Sequence, residues 1–321
     1  MKIKPILLVA GEPNSVFLEI FFKSLKNIKI RSPLVLICCK NDLKKQLNRF
    51  KVKKNLRILK SKKINDYSLN NRMINIIDVP LKKSANKKRN NLFITEYIKL
   101  SFELGIKLLK SRYTYKFING PINKKSFLNK KFLGITEYIA NNFKEKKIGM
   151  LIYNKNLSVS PLTTHLPIRL VSKDITKKKV KEKIQLIHNF YKNNLKINPK
   201  IAVTGLNPHC ESILNFNEDE KIIKPAIIDA KRKKINVNGP FAADTMFLKK
   251  NREKYDVILG MFHDQVLGPL KALYEYDAIN ITMGLPILRV SPDHGPNAKM
   301  VGKNKSNPQS LIKALQFLDN K

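Results

Sequence analysis

Histidine is scarce in this sequence, and three of its five histidines stand in short polar motifs that directly follow apolar segments. The motifs are TTHLP around His165, GLNPH ending at His209 and FHDQ around His263. Neutral imidazole suits a divalent transition metal, zinc above all, and three protein ligands leave a position open for a substrate. The spacing therefore predicts a catalytic zinc site, with Mg²⁺ or Co²⁺ as other candidates. The alternative is three unrelated turn histidines.

Two carboxylates accompany these histidines along the chain. Asp264 directly follows His263, and Asp244 lies in the segment GPFAADTMF. A carboxylate beside a metal-bound imidazole can orient the ring or carry a proton during a reaction. We therefore predict catalytic roles for Asp244 and Asp264, whereas Gln265, the next residue, has no predicted role.

A second set of polar residues follows downstream and consists of Lys271, Asn280 and Arg289. Two cations and an amide are suited to holding a phosphate or a carboxylate. Ordinary surface charge is the alternative for Lys271 in such a lysine-rich chain, whereas Arg289 directly follows the apolar segment LPIL. We predict that all three bind an anionic substrate and that Lys271 also takes part in catalysis.

Strand-like and helix-like segments alternate along the chain, and they must position these side chains. The apolar runs Ile6–Ala10, Ile201–Thr204 and Val257–Phe262 predict buried strands, and Thr95–Lys110 has apolar residues at helical spacing. This alternation predicts an α/β protein with a largely parallel sheet, in which ligands bind beyond the carboxyl ends of the strands. The segment 52–71 is dense in Lys and Asn, so we predict an irregular loop there.

The charge of the chain is strongly positive, with 63 Lys and Arg against 24 Asp and Glu and a formal net charge of +39. Such an excess attracts polyanions. A nucleic-acid surface would cluster Arg and aromatic residues on one face, whereas here lysine is spread along the whole chain. We therefore predict no specific nucleic-acid partner and expect the charge to steer anionic small substrates.

Three observations bear on compartment. No apolar stretch approaches the roughly 20 residues that a membrane helix needs. The start MKIKPILLVAGEP reads as a first strand and its turn rather than as a secretory signal. Cys38 and Cys39 lie in an apolar run and Cys210 shows no zinc-like spacing, so all three fit a reducing environment. We expect a cytoplasmic protein with no membrane partner.

Nine motifs together resemble one family. GEP, NGPINK, GITEY, TTHLP, VTGLNPH, GPFAADTMF, FHDQ, NITMGLP and SPDHG occur in this order, from Gly11 to about Gly302. This ordered set is similar to the 4-hydroxythreonine-4-phosphate dehydrogenase family of vitamin B6 (pyridoxal 5'-phosphate) biosynthesis. The resemblance covers nearly the whole chain, and TTHLP, GLNPH and HDQ are its most specific parts.

The resemblance implies a fold and an activity. The fold is a three-layer α/β/α arrangement like that of isocitrate and isopropylmalate dehydrogenases, with two lobes and a cleft between them. The activity is oxidation of 4-phosphohydroxy-L-threonine with NAD or NADP and a divalent metal, followed by decarboxylation to 3-amino-2-oxopropyl phosphate. By analogy with this fold we expect lobe 1 to comprise residues 1–130 and 280–321, and lobe 2 residues 131–279.

The resemblance also implies site residues and a partner. The family works as a homodimer with its active site at the interface. The metal ligands that it implies are His165, His209 and, from the second subunit, His263. The substrate-binding positions that it implies are Thr136, Lys271, Asn280 and Arg289. Asp293 and His294, in SPDHGPNAKM, match a region near the cofactor.

One departure from the family leaves alternatives open. The family usually has His at the position of Ile135, where that His contacts the substrate. A relative acting on another phosphorylated hydroxy acid, such as a threonate or erythronate phosphate, is therefore the first alternative. A protein that keeps the metal site and binds a phosphorylated ligand or a polyanion without catalysis is the second.

Overall fold

The computed structural model describes residues 3–123, 132, 134–213, 216–292 and 295–321. The chain forms two compact units, of which unit 1 comprises Met1–Glu145 with Leu285–Lys321 and unit 2 comprises Lys146–Gly284. Each unit has its own buried core. No helix within the described ranges is long and apolar enough to cross a membrane.

Strands and helices alternate in both units. The strands are β1 Ile6–Val9, β2 Leu34–Cys38, β3 Leu56–Ile58, β4 Ile74–Asp78, β5 Lys116–Asn119, β6 Gly149–Tyr153, β7 Ser158–Pro161, β8 Ile201–Thr204, β9 Val237–Phe241, β10 Val257–Gly260, β11 Ile279–Met283 and β12 Leu288–Pro292. The α-helices of the described residues are α1 Phe17–Asn27, α2 Lys40–Arg49, α3 Lys87–Lys110, α4 Ile135–Asn142, α5 Val171–Asp174, α6 Lys177–Phe190, α7 Lys224–Arg232, α8 Ala243–Met246, α9 Lys249–Arg252, α10 His263–Tyr274 and α11 Gln309–Asp319. Single π-helical turns occupy Tyr191–Leu195 and Asp219–Ile223.

The strands of unit 1 lie in the order β3-β4-β2-β1-β5-β12, and every neighbouring pair is parallel. Successive side chains of a strand point to opposite faces of a sheet. In β1 all four residues are fully buried, so both faces of this sheet are covered. On one face, Ile98 and Phe102 of α3 share a core cluster with Leu7 and Val9.

The strands of unit 2 lie in the order β11-β6-β7-β10-β8-β9. The pairs β11–β6 and β6–β7 are antiparallel, and the remaining three pairs are parallel. Strands β7, β10 and β8 are therefore parallel neighbours, with β10 in the middle. Their carboxyl ends meet at one edge of the sheet, and the three histidine motifs begin there.

The alternating α/β architecture predicted from the sequence is confirmed, and one local expectation is corrected. The segment 52–71, predicted to be irregular, contains β3 and a 3₁₀ helix at Ser61–Asp66. Strand β9 lies in VNGPF, whose Gly-Pro pair usually interrupts a strand. Gly239 fits because a Cβ there would lie 2.4 Å from the carbonyl oxygen of Val203, so glycine permits the close approach of β9 to β8.

Candidate active site

His263 is the first residue of α10, three residues after Gly260, the last residue of β10. The strand predicted to run from Val257 to Phe262 ends earlier, at Gly260. A Cβ on Gly260 would lie 2.3 Å from Cγ1 of Val266. Glycine therefore lets the first helical turn pack onto the end of the strand. The imidazole of His263 is 39% exposed, and its Nδ1 lies 2.6 Å from Oδ1 of Asp264. That contact favours the proton on Nδ1 and leaves the Nε2 lone pair for a metal.

His209 lies in the loop after β8, and a buried carboxylate holds this loop. Asp219 accepts hydrogen bonds from the backbone nitrogens of Leu206 (2.6 Å) and Asn207 (3.1 Å) and from Nδ2 of Asn207 (3.0 Å). His209 itself has a φ of 57°, in the left-handed region that few residues other than glycine adopt. The side chain of His209 is exposed, and its Nε2 lies 3.7 Å from Oδ2 of Asp244.

His165 lies in the segment that follows β7. Thr163 ties this segment to the neighbouring strand end, because its backbone nitrogen and its Oγ1 both donate to the carbonyl oxygen of Met261. The side chain of His165 is exposed. The three predicted metal ligands therefore follow three adjacent parallel strands, in the spatial order His165, His263, His209.

The donor types fit a transition metal, but one chain does not assemble them. Each predicted ligand is an imidazole that is at least partly exposed, and two of them have an adjacent carboxylate to orient the ring. Within the described part of the chain, no three His, Cys, Asp or Glu side chains lie close enough to share one ion. Imidazole side chains are thus the right type of ligand for such a metal. The three predicted ligands of one chain, however, do not come together around a common point.

Arg289 anchors a second polar centre, in unit 1. Its side chain is fully buried, with Nε donating to Oδ1 of Asn119 (2.8 Å) and Nη1 donating to Oγ1 of Thr136 (2.9 Å). Burial lowers the pKa of the guanidinium to about 10, against the opposing effect of Glu137, so Arg289 remains charged at neutral pH. Two predicted substrate residues, Thr136 and Arg289, are therefore in contact, together with Asn119, the first residue of the NGPINK motif, for which the sequence predicted no individual role.

The other predicted substrate residues lie in unit 2. Lys271 is on α10, eight residues after His263 and therefore about 12 Å along the helix axis from it. Asn280 is on β11, opposite Ile152 of β6. Both side chains are half-buried. The predicted cofactor residues Asp293 and His294 lie outside the described residues.

Unit 1 contains a cavity of about 700 Å³. Its walls combine Ile94, Ile122 and Pro296 with the side chains of four asparagines and with Glu12. Burial raises the pKa of the Glu12 carboxyl above its ordinary value, although hydrogen bonds from the backbone of Asn14 and Asn123 oppose the rise. A cavity with apolar walls and a few polar groups is typical of cofactor and substrate sites.

The comparisons with known proteins place this site in a family. The family model described as "Pyridoxal phosphate biosynthetic protein PdxA" matches residues 29–318. The chain belongs to the PdxA family. The resemblance found in the sequence is thereby confirmed, and the chain is an oxidoreductase with the α/β/α fold of this family.

Individual relatives cover almost the whole chain. A "4-hydroxythreonine-4-phosphate dehydrogenase" of Sulfurihydrogenibium sp. is 34% identical over 319 residues, 97% of this chain and 96% of the relative. A "D-threonate 4-phosphate dehydrogenase" of Salmonella typhimurium is 29% identical over 327 residues, 99% and 98% of the two chains. The crystal structure of a 4-hydroxythreonine-4-phosphate dehydrogenase from Klebsiella pneumoniae superposes with a TM-score of 0.84 at 27% identity, covering 99% of this chain and 97% of that one. The named substrates of these PdxA relatives thus differ.

Proposed function

We propose that this PdxA-family chain oxidises 4-phosphohydroxy-L-threonine with NAD or NADP and a divalent metal, and that decarboxylation then gives 3-amino-2-oxopropyl phosphate. The observation that carries the proposal is the placement of His165, His263 and His209 at the carboxyl ends of three adjacent parallel strands. Ligands of α/β enzymes bind at that edge. The 34% identity to a relative named for this substrate agrees with it.

The three histidines would hold the metal, with zinc favoured by their nitrogen donors. A bound divalent cation would supply Lewis acidity to the substrate hydroxyl, which favours its oxidation. Asp264 orients the imidazole of His263, and Asp244 lies where it can do the same for His209. Either carboxylate can also take a proton from the substrate. We propose Lys271 as a third catalytic candidate.

The substrate is a doubly anionic molecule, with one phosphate and one carboxylate. Arg289 is charged and rigidly held by Asn119 and Thr136, so it is suited to bind one of these groups in a fixed orientation. We propose Lys271 and Asn280 as further substrate contacts. The net charge of +39 would raise the encounter rate with such an anion.

We propose the cavity of unit 1 as part of the dinucleotide site. Its volume of about 700 Å³ lies within the range of small-molecule sites. Pro296, one of its walls, follows Asp293 and His294 closely in the sequence. The apolar walls suit a base or the nicotinamide ring, and the asparagine amides suit ribose hydroxyls.

We further propose that the enzyme is a homodimer in which a second copy completes the metal site. Leu166, Ile168 and Leu170 follow His165 directly and are 40%, 70% and 40% exposed. Ile213 and Phe216, shortly after His209, are 104% and 55% exposed. Exposed apolar residues beside an incomplete metal site favour burial by a partner. A second copy would cover these side chains and supply His263.

The decisive experiment measures reduced nucleotide from the purified chain with 4-phosphohydroxy-L-threonine, either NAD or NADP, and Zn²⁺, Co²⁺ or Mg²⁺. We expect metal-dependent turnover with release of carbon dioxide. Turnover should vanish in His263→Ala and persist in His188→Ala, because His188 lies on α6, outside the three motifs that contain the predicted ligands. Light scattering should give the mass of a dimer. No turnover with any metal or nucleotide would contradict this substrate, and no turnover with D-threonate 4-phosphate either would leave a non-enzymatic binder of phosphorylated ligands or polyanions.

A second substrate is favoured by a specific residue. Ile135, the first residue of α4, packs against the apolar core cluster of unit 1 where the family usually has His. A relative that is 29% identical over 99% of this chain is named for D-threonate 4-phosphate. If Ile135 selects such a substrate, Ile135→His should raise kcat/KM for phosphohydroxythreonine relative to D-threonate 4-phosphate, and Ile135→Val should leave the ratio unchanged. Equal ratios in all three proteins would remove Ile135 as a substrate determinant.

A further inference from the structure

The amide of Gln265 joins the ends of two strands that precede predicted metal ligands. Its Nε2 donates to the carbonyl oxygen of Gly205 (2.7 Å), where the loop after β8 begins. Its Oε1 accepts from the backbone nitrogen of Met261 (2.7 Å), beyond the end of β10, and from Oγ1 of Thr204 (2.9 Å). Three hydrogen bonds from one half-buried side chain therefore fix the separation of the two strand ends.

Only an amide of this length can make this set of contacts. Glutamate has the acceptor but no hydrogen-bond donor for Gly205 when ionised, and methionine fills the space with neither strong donor nor acceptor. Gly260 provides the room, because a Cβ at that position would lie 3.0 Å from Oε1 of Gln265. The local structure is therefore built around the amide.

Both histidines lie close to the atoms that Gln265 holds. His263 is two residues after Met261, and His209 is four residues after Gly205. The loop of His209 has a second anchor, since Asp219 holds the backbone of Leu206 and Asn207. With its beginning and its middle both fixed, this loop has little freedom to correct the position of its histidine.

We infer that Gln265 is a positioning residue for the metal ligands His209 and His263. The inference rests on the proposed function, because it requires these histidines to bind a metal. Metal sites tolerate ligand distances within only about 0.2 Å, so a small shift of either strand end weakens binding. If His263 binds the metal of a second copy, Gln265 positions two ligands of different metal centres. His209 then serves the centre of its own subunit, and His263 serves the centre of the partner.

The test is a metal titration of the whole protein, using Co²⁺ as a spectroscopic probe and Zn²⁺ in competition. We expect Gln265→Met to weaken metal binding by about 10- to 100-fold, the usual loss when a residue that supports ligands is removed. Saturating metal should restore most of kcat, which general damage to the fold would not allow. Gln185→Met is the matched control, since that half-buried amide donates to Oδ1 of Asn189 on the same helix, α6 (2.9 Å), in an exposed hydrogen bond.

A milder variant keeps the inference testable if Gln265→Met does not fold. Thr204→Val removes the hydroxyl that donates to Gln265 (2.9 Å) and, at the longer distance of 3.4 Å, to the carbonyl oxygen of Leu259, in a fully buried and nearly isosteric side chain. We expect about a three- to tenfold weaker metal affinity. If Gln265→Met folds and binds metal as tightly as the Gln185→Met control, the inference is overturned. If Gln265→Met does not fold, the same result in Thr204→Val overturns it. A wild-type protein that binds neither Co²⁺ nor Zn²⁺ would instead overturn the proposed metal function.

Discussion

Arg289 and Asn119 are joined by a hydrogen bond of 2.8 Å between the guanidinium Nε and the amide Oδ1. The two residues belong to adjacent strands, β12 and β5. Because the amide and the Thr136 hydroxyl are neutral, they orient the guanidinium without cancelling its charge. Glu137 already favours the charged form of this buried guanidinium, and a substrate phosphate or carboxylate would be a further anion that stabilises it.

Arg289→Lys should therefore weaken substrate binding while keeping the positive charge. Lysine lacks the planar fork that bonds Asn119, Thr136 and a ligand at the same time. We expect kcat/KM to fall by about 10- to 100-fold, the range of one lost charge-assisted hydrogen bond. Steady-state kinetics measure this change. Arg57→Lys is the control, because Arg57 is a half-buried residue of β3 in unit 1 whose guanidinium donates to the carbonyl oxygen of Ser68 (2.8 Å). Similar losses in both variants would contradict a specific role for Arg289.

The sequence predicted Arg289 and Thr136 but gave no role to Asn119, and the reason is physical. Arg289 stands out in sequence because a rare arginine follows an apolar segment. Asn119 ends β5, 170 residues away, and its contact with Arg289 exists only because β5 and β12 pair in parallel. Sequence patterns indicate which residues end strands, whereas the order of the strands decides which of those residues meet.

Local sequence rules account for other successes and failures. The strands β1 and β2 are continuous apolar runs, which is the pattern of parallel strands covered on both faces. Strand β3 was missed because it is only three residues long and none of its residues is fully buried. The role of Gln265 was not foreseen, since its three partners come from two strand ends that only the fold brings together.

Glu12 should set the nucleotide preference if the unit 1 cavity holds the dinucleotide. The described residues lining that cavity include this carboxylate and no Lys or Arg. A carboxylate accepts hydrogen bonds from a ribose diol and repels a 2'-phosphate. We therefore expect NAD to be preferred over NADP. Glu12→Gln should raise the kcat/KM ratio of NADP to NAD by about tenfold, the effect of about 1.4 kcal/mol.

The same preference should appear in binding without turnover. Fluorescence titrations should show that Glu12→Gln improves the affinity for NADPH relative to NADH. Glu103→Gln is the matched control, because Glu103 is an exposed carboxylate of α3 that pairs with Lys99. If Glu12→Gln leaves the ratio of NADPH affinity to NADH affinity unchanged, Glu12 does not contact the 2'-position of the nucleotide.

Lys183 gives a prediction about stability and pH that is independent of catalysis. It lies on α6, and a Cβ on Gly149 of β6 would be 2.9 Å from its Nζ. Burial lowers the pKa of the Lys183 ammonium from 10.5 to about 8. Between these values the unfolded chain binds a proton that the folded chain does not, so the free energy of unfolding should rise with pH.

Lys183→Met should therefore stabilise the protein at pH 7, where the folded chain must otherwise carry a desolvated ammonium. We expect a gain of up to about 3 kcal/mol in the free energy of unfolding, shrinking as the pH rises through the window from 8 to 10.5. Urea denaturation at several pH values measures it. Lys178→Met, an exposed position on the same helix, should change little at any pH. A gain in Lys183→Met that is equal at neutral and alkaline pH would assign the effect to packing rather than to the buried charge.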